Sequence, residues 1–258
     1  MRIELAAMIV ERLDDPSGLE RAAAPLESAL ALARRQKMLI SRPWPGFGEP
    51  FNGQAARTRA IDLLLSEFAP QAVIETGTFL GFTTRWLAEK GVDTYTVEVS
   101  PRFRAAGRYA LRDLENVTMI WGDSAAAMRH LAGGNRISKP FAYLDAHWEE
   151  DLPLNDELDC LLSTWDDALV AIDDFHVPGE PGYAYDVYNG VPLSLEQLSL
   201  PESATVAFPA TPALEETGSR RGAVYIGQGE AASQALLAAQ REGLVALQRE
   251  GEPSSASL

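Results

Sequence analysis

The chain has 258 residues, 46% hydrophobic and 23% charged, the balance of an ordinary globular domain. That length suits one α/β domain with extensions and buries a core without disulfide or metal staples. A formal net charge of -15 repels phosphate backbones and anionic lipid, so nucleic acid and membrane are excluded as first-choice partners.

From the N-terminus, MRIELAAMIVERLDD lacks the basic, apolar and small-residue succession of a secretory leader. No run reaches the roughly 20 apolar residues of a membrane span, so a cytoplasmic location is expected. Residues 2–38 read as helical, with a break at the DDPSG of 14–18. RPWPGFGEPFNG, 42–53, is a loop rich in proline and glycine. The expected organisation is an N-terminal helical extension over 1–53, a main domain over 54–250 and a disordered tail over 251–258.

A helix over 54–68 leads into regular alternation. QAVIET, DTYTVEV, NVTMIWG, PFAYLDAH and DALVAIDD read as strands. FTTRWLAEKG, PRFRAAGRYALRDL, SAAAMRHLAGG and PLNDELDCLLSTW read as the helices between them, with Pro101 in a first turn and Gly91 and Gly133 at ends. Cys160, alone in the chain and set in the last of these helices, reads as a buried structural thiol. ATVAFPA and RGAVYIG read as two closing strands, and AASQALLAAQREGLVALQRE as one amphipathic helix. Uninterrupted apolar strands are covered on both faces. The expectation is a Rossmann-like α/β fold: a doubly wound, mostly parallel seven-stranded sheet.

In open α/β sheets the ligand lies beyond the carboxyl ends of the strands. Five such ends here are polar or glycine-rich: Glu75-Thr76-Gly77, Glu98, Gly122-Asp123-Ser124, Asp145-Ala146-His147 and Asp173-Asp174. Gly77 lets backbone pass close, and Gly81 lets the next helix pack close. The G-x-x-x-G spacing, with Phe79 and Leu80 in the turn, suits a ligand without phosphates. Glu75 would repel phosphate and suit an ammonium. Glu98, 21 residues after Gly77, stands where an acid accepts from ribose hydroxyls. Asp123 and Ser124 suit either an adenine edge or the cap of the following helix.

Glu75, Gly77, Gly81, Glu98 and Gly122-Asp123-Ser124 together resemble the cofactor motifs of class I S-adenosylmethionine methyltransferases, over roughly residues 54–227. The resemblance implies that Glu75, Gly77, Thr78 and Gly81 hold the methionine end, Glu98 the ribose, and Gly122, Asp123 and Ser124 the adenine, with Asp145 also at the cofactor. Asp145, Asp173 and Asp174 would repel one another without a cation. Oxygen ligands suit magnesium or another divalent ion. This set resembles the metal-dependent O-methyltransferases acting on catechols and sugars, which implies a metal-assisted transfer to a small-molecule hydroxyl. His147 is the expected general base and His176 the alternative. Tyr183, Tyr185 and Tyr188, in the loop 175–192, offer contacts to the acceptor. The N-terminal helices, with Trp44, Phe47 and Phe51, offer a lid or a homo-oligomer contact. Three other classes stay open: a nicotinamide oxidoreductase, a non-catalytic cofactor-binding protein, and an Asp/His metal-dependent hydroxylase.

Overall fold

The computed structural model describes residues 9–12, 33, 35–134, 136–146 and 153–248. The apolar runs form the strands β2 (Ala72–Thr76), β3 (Asp93–Glu98), β4 (Val117–Trp121), β5 (Pro140–Leu144) and β6 (Ala168–Asp173). Between and around them lie α1 (Ala55–Phe68), α2 (Phe82–Ala88), α3 (Pro101–Leu111), α4 (Ser124–Gly133) and α5 (Leu154–Thr164). The closing strands are β9 (Thr205–Pro209) and β10 (Ala223–Gln228), followed by α6 (Gly229–Arg241). Two short strands, β7 (Val187–Tyr188) and β8 (Val191–Pro192), pair into a separate hairpin.

Alternate side chains of each central strand enter opposite cores. Ala72, Ile74, Ala142, Leu144, Val170 and Ile172 pack with Met128, Leu158 and Leu161 of α4 and α5. Val73, Phe141, Tyr143, Leu169 and Ala171 pack with Ile61 and Leu64 of α1, Leu87 of α2 and Leu236 of α6. Two covered faces explain why these strands carry no polar alternation.

The expected seven strands run in the order β4-β3-β2-β5-β6-β10-β9, and of these only β10 runs opposite to the other six. Two more strands extend the sheet to nine. β1 (Ile9–Arg12) pairs antiparallel with β4, within a stretch that reads as helical in the sequence. Its I-V-E-R is also a β-compatible tetrapeptide, and pairing along the free edge of β4 satisfies its backbone. β11 (Val245–Leu247) pairs with β9, so the expected C-terminal helix stops early. Gly243 takes the left-handed conformation there (φ 68°), and Leu244 N–H bonds back to Ala239. Cys160 is half-buried on α5 rather than fully buried. The tail 251–258 lies outside the described residues. No helix among the described residues is long and apolar enough to cross a membrane.

Register places the chemistry. Glu75 stands opposite Thr96 on one side and Tyr143 on the other. Thr76 pairs with Leu144, and Leu144 with Ile172. The next residue of each strand therefore falls in one row: Gly77, Asp145, Asp173.

Candidate active site at the carboxyl edge of the sheet

A cleft opens over this row, walled on one side by the loop after residue 42. Trp44, Phe47, Glu49, Asn52, Phe79 and Phe82 face Glu75, Gly77, Asp145 and Asp173 across it. It is an open cleft, about 450 Å³ when the solvent at its mouth is counted. The loop is tightly keyed. Phe51 and Asn52 both adopt left-handed backbone (φ 50° and 57°), and a side chain on Gly46 would sit 2.0 Å from the Asn52 carbonyl. Of the aromatics expected to form a lid or dimer contact, Trp44 and Phe47 line the cleft. Phe51 is core, set edge-on against Trp86 and Tyr143.

The first strand end holds Glu75 fully inside. Its Oε2 accepts from Thr96 Oγ1 at 2.6 Å and from Thr84 Oγ1. Thr78 Oγ1 lies 2.7 Å from Thr96 Oγ1. Burial pushes the Glu75 carboxyl up to about 7, against the opposing pull of the two threonine hydroxyls. Gly77 (φ 88°) is obligatory for an internal reason: a β-carbon there would lie 2.3 Å from the Asp145 carbonyl oxygen. Gly81 (φ 75°) caps the start of α2, and a β-carbon there would lie 3.2 Å from Leu111 of α3, the close packing its position predicts.

At the second strand end Glu98 is nearly buried. Its Oε2 accepts from Phe79 N–H and its Oε1 from Ser100 N–H, both at 2.8 Å. Burial raises its pKa, opposed by those backbone donors. At the third, Asp123 caps α4 by accepting from Ala126 N–H at 2.7 Å and is otherwise exposed. Gly122 passes the chain into that turn, and Ser124 is buried. Beside Ser124 and Thr76, on α5, stands Glu157, a buried acid unforeseen in the sequence. Burial pushes it up to about 7, and its Oε1 has no hydrogen-bond partner.

The carboxylates of the fourth and fifth strand ends come together, but with arginines. Asp173 Oδ1 is paired with Arg57 Nη1 and accepts Asp174 N–H at 2.7 Å. Its Oδ2 accepts Tyr143 O–H at 2.7 Å and Asn52 Nδ2 at 3.4 Å. Burial would raise Asp173, yet Arg57 and these donors hold it below the usual carboxylate range. Asp174, itself left-handed (φ 54°), accepts from Arg221 Nε, whose Nη2 goes on to Asp186. Burial and the charge of Asp173 push Asp174 up to about 7. Asp145 is raised well above the usual range by burial and by Asp173, Asp174 and Glu75.

This donor set does not fit the divalent ion expected from the sequence. Asp173 and Asp174 are already matched to guanidinium groups, and a metal would have to share the space with Arg57. Among the described residues no group of three His, Cys, Asp or Glu side chains is arranged to hold a metal. Arg57 and Arg221 are the residues that reading the strand ends misses.

His147 lies outside the described residues. His176 is held by its backbone, N–H to Leu193 carbonyl at 2.8 Å, its ring meets Tyr185 edge-on, and it is not among the residues lining the cleft. Tyr183 is core, its hydroxyl donating to Thr211 carbonyl, and Tyr188 donates to Asp186. Neither lines the cleft.

No family model matches the chain, and no curated protein does. Solved structures do. A Klebsiella pneumoniae protein described as an O-methyltransferase superposes with a TM-score of 0.52 at 14% identity, covering 84% of this chain and 93% of that one. A cofactor-bound protein from MTB gives 0.50 at 17% identity, over 81% and 89%. An O-methyltransferase of tomaymycin synthesis from Streptomyces achromogenes, solved with SAM, gives 0.47 at 15% identity, over 67% and 80%, too low to carry an argument. The first two likenesses show a shared fold, a Rossmann-like α/β sheet.

Proposed function

We propose that this chain transfers a methyl group from S-adenosylmethionine to a hydroxyl of a small molecule. The observation that carries this is Glu75. It is a fully buried carboxylate at the first strand end, held by two threonine hydroxyls instead of a cation, and it faces the cleft. A buried acid so placed is matched to a ligand's positive charge, whereas a phosphate-bearing ligand would be repelled.

When bound, the cofactor would supply an electrophilic methyl carbon and a sulfur leaving group that keeps the bonding pair. The chain does the rest. Glu75 receives the ammonium of the methionine end, Gly77 and Thr78 border it, and Glu98 takes the ribose hydroxyls. Gly122, Asp123 and Ser124 border the adenine. Trp44, Phe47, Phe79 and Phe82 exclude water from the cleft, which strengthens every charge interaction inside it. The acceptor hydroxyl lies over Asp145, the one aspartate of the three with no arginine ion pair among the described residues. Its proton goes to a base on that rim. His147, two residues beyond Asp145, fits by sequence position, and Asp145 itself fits by geometry. His176 turns toward Tyr185 and fits less well.

Calorimetric titration tests the central reading. S-adenosylhomocysteine should bind and NAD should not. A protein that ignores S-adenosylhomocysteine at millimolar concentration is not a methyltransferase of this kind.

A further inference from the structure

Three acids meeting at a sheet edge call for positive charge, and in this chain the positive charge is covalently present. Arg57 is buried with Asp173, each about 1% exposed at the side chain. Its Nη2 donates to the carbonyls of Arg221 and Gly222, the latter at 2.9 Å, which pins the guanidinium on the side away from Asp173. Asp173 has a donor at each of its four lone-pair positions: Arg57, Asp174 N–H, Tyr143 O–H and Asn52 Nδ2. A divalent ion needs about six oxygen ligands. To recruit Asp173 it would have to displace these donors and stand beside a guanidinium that does not lose its proton. Asp174 is likewise engaged by Arg221, which also spans to Asp186.

We infer that Arg57 stands in the place of a divalent cation, neutralising the carboxylate cluster from within, so that this chain binds its cofactor with no metal ion. The inference depends on the methyltransferase reading only for the identity of the cofactor. Arg57 is a positioning residue. Through Asp173 it holds Asn52, and Asn52 in turn accepts from Trp44 Nε1 at 3.3 Å, so the aromatic wall of the cleft is tied to the buried ion pair.

Two measurements on the full chain decide it. S-adenosylhomocysteine affinity in chelator and in excess magnesium should agree within about twofold, because no metal is linked to binding. Manganese, followed by electron paramagnetic resonance, should show no stoichiometric site in wild-type protein. In Arg57→Met, where Asp173 loses its paired cation beside Asp145 and Asp174, manganese affinity should rise at least about tenfold. One manganese per wild-type chain at micromolar concentration, lost in Asp145→Asn, overturns the inference. If Arg57→Met does not fold, the wild-type titration decides alone, and Arg57→Lys should match wild type in ignoring manganese. Failure of S-adenosylhomocysteine to bind overturns the methyltransferase reading and leaves the manganese result to decide this one.

Discussion

Glu75 titrates where the cell operates, and that has a consequence for ligand binding. Its carboxyl sits near 7 because burial disfavours the charged form more than Thr84 and Thr96 favour it. An ammonium ligand prefers the ionised acid, so below that pH it must first expel a proton. Cofactor affinity should therefore fall roughly tenfold between about pH 8 and about pH 6, and Glu75→Gln should flatten the profile while weakening binding throughout. Calorimetry at the two pH values checks both; a flat wild-type profile removes Glu75 from the ammonium site. Glu98→Ala, which removes an acceptor from Phe79 and Ser100 N–H as well as from the ribose, should cost roughly 1–3 kcal/mol of cofactor binding. Both acids are legible in the sequence, because an acid ending an apolar run stands out. Arg57 is harder to see. Its signal is a charge on the apolar stripe of α1, in step with Ala60, Ile61 and Leu64, all buried. A lone charge there means a buried partner, but its partner, Asp173, is 116 residues away and reached only through the tertiary fold.

Among the elements, α1 and α6 cover one face of the sheet, and their contact is apolar. Leu64 is fully buried there, far in kind from the polar strand ends. Leu64→Ala should lower unfolding free energy by about 2–5 kcal/mol, the range for such cavities, with cofactor affinity unchanged in whatever fraction is folded. Denaturant melts report the first and calorimetry the second. The end of α6 offers a cleaner probe. Gly243 is left-handed with nothing within 4 Å of where a β-carbon would go, so Gly243→Ala isolates backbone strain, worth about 1 kcal/mol. A loss of several kcal/mol would mean that β11 detaches as well. This element also marks what one-dimensional periodicity misreads. The apolar spacing of 231–250 continues as if one helix ran through, while Gly243 carries the stop signal. At the other end, β1 is an edge strand whose existence depends on the free edge of β4, which local propensity does not encode.

At the scale of the whole molecule, the central strands and their order at the cleft are legible because each apolar run, buried on both faces, ends at a polar or glycine position. The balance of buried acids is not, because it depends on how deeply each strand end sinks. Glu75, Glu157 and Asp174 all sit near 7 in the folded chain, against ordinary values of 4.5 for Glu and 3.8 for Asp. A carboxyl whose folded value is raised holds its proton more tightly folded than unfolded. Its stabilising contribution is complete below the unfolded value and disappears as pH rises through about 7. Asp173, lowered by Arg57, works the opposite way, but its window lies far below. The net charge of -15 adds self-repulsion that also grows as these acids ionise. The ligand-free protein should therefore be more stable at about pH 6 than at about pH 8, by up to about 4 kcal/mol if the three groups act independently. S-adenosylmethionine brings cationic partners for ionised Glu75, so the difference should shrink when it is present in excess. Urea unfolding at both pH values, with and without cofactor, measures this directly. Higher stability at the upper pH in the ligand-free protein would mean that these carboxyls are solvated or paired in solution, and that the cleft is wetter than its burial indicates.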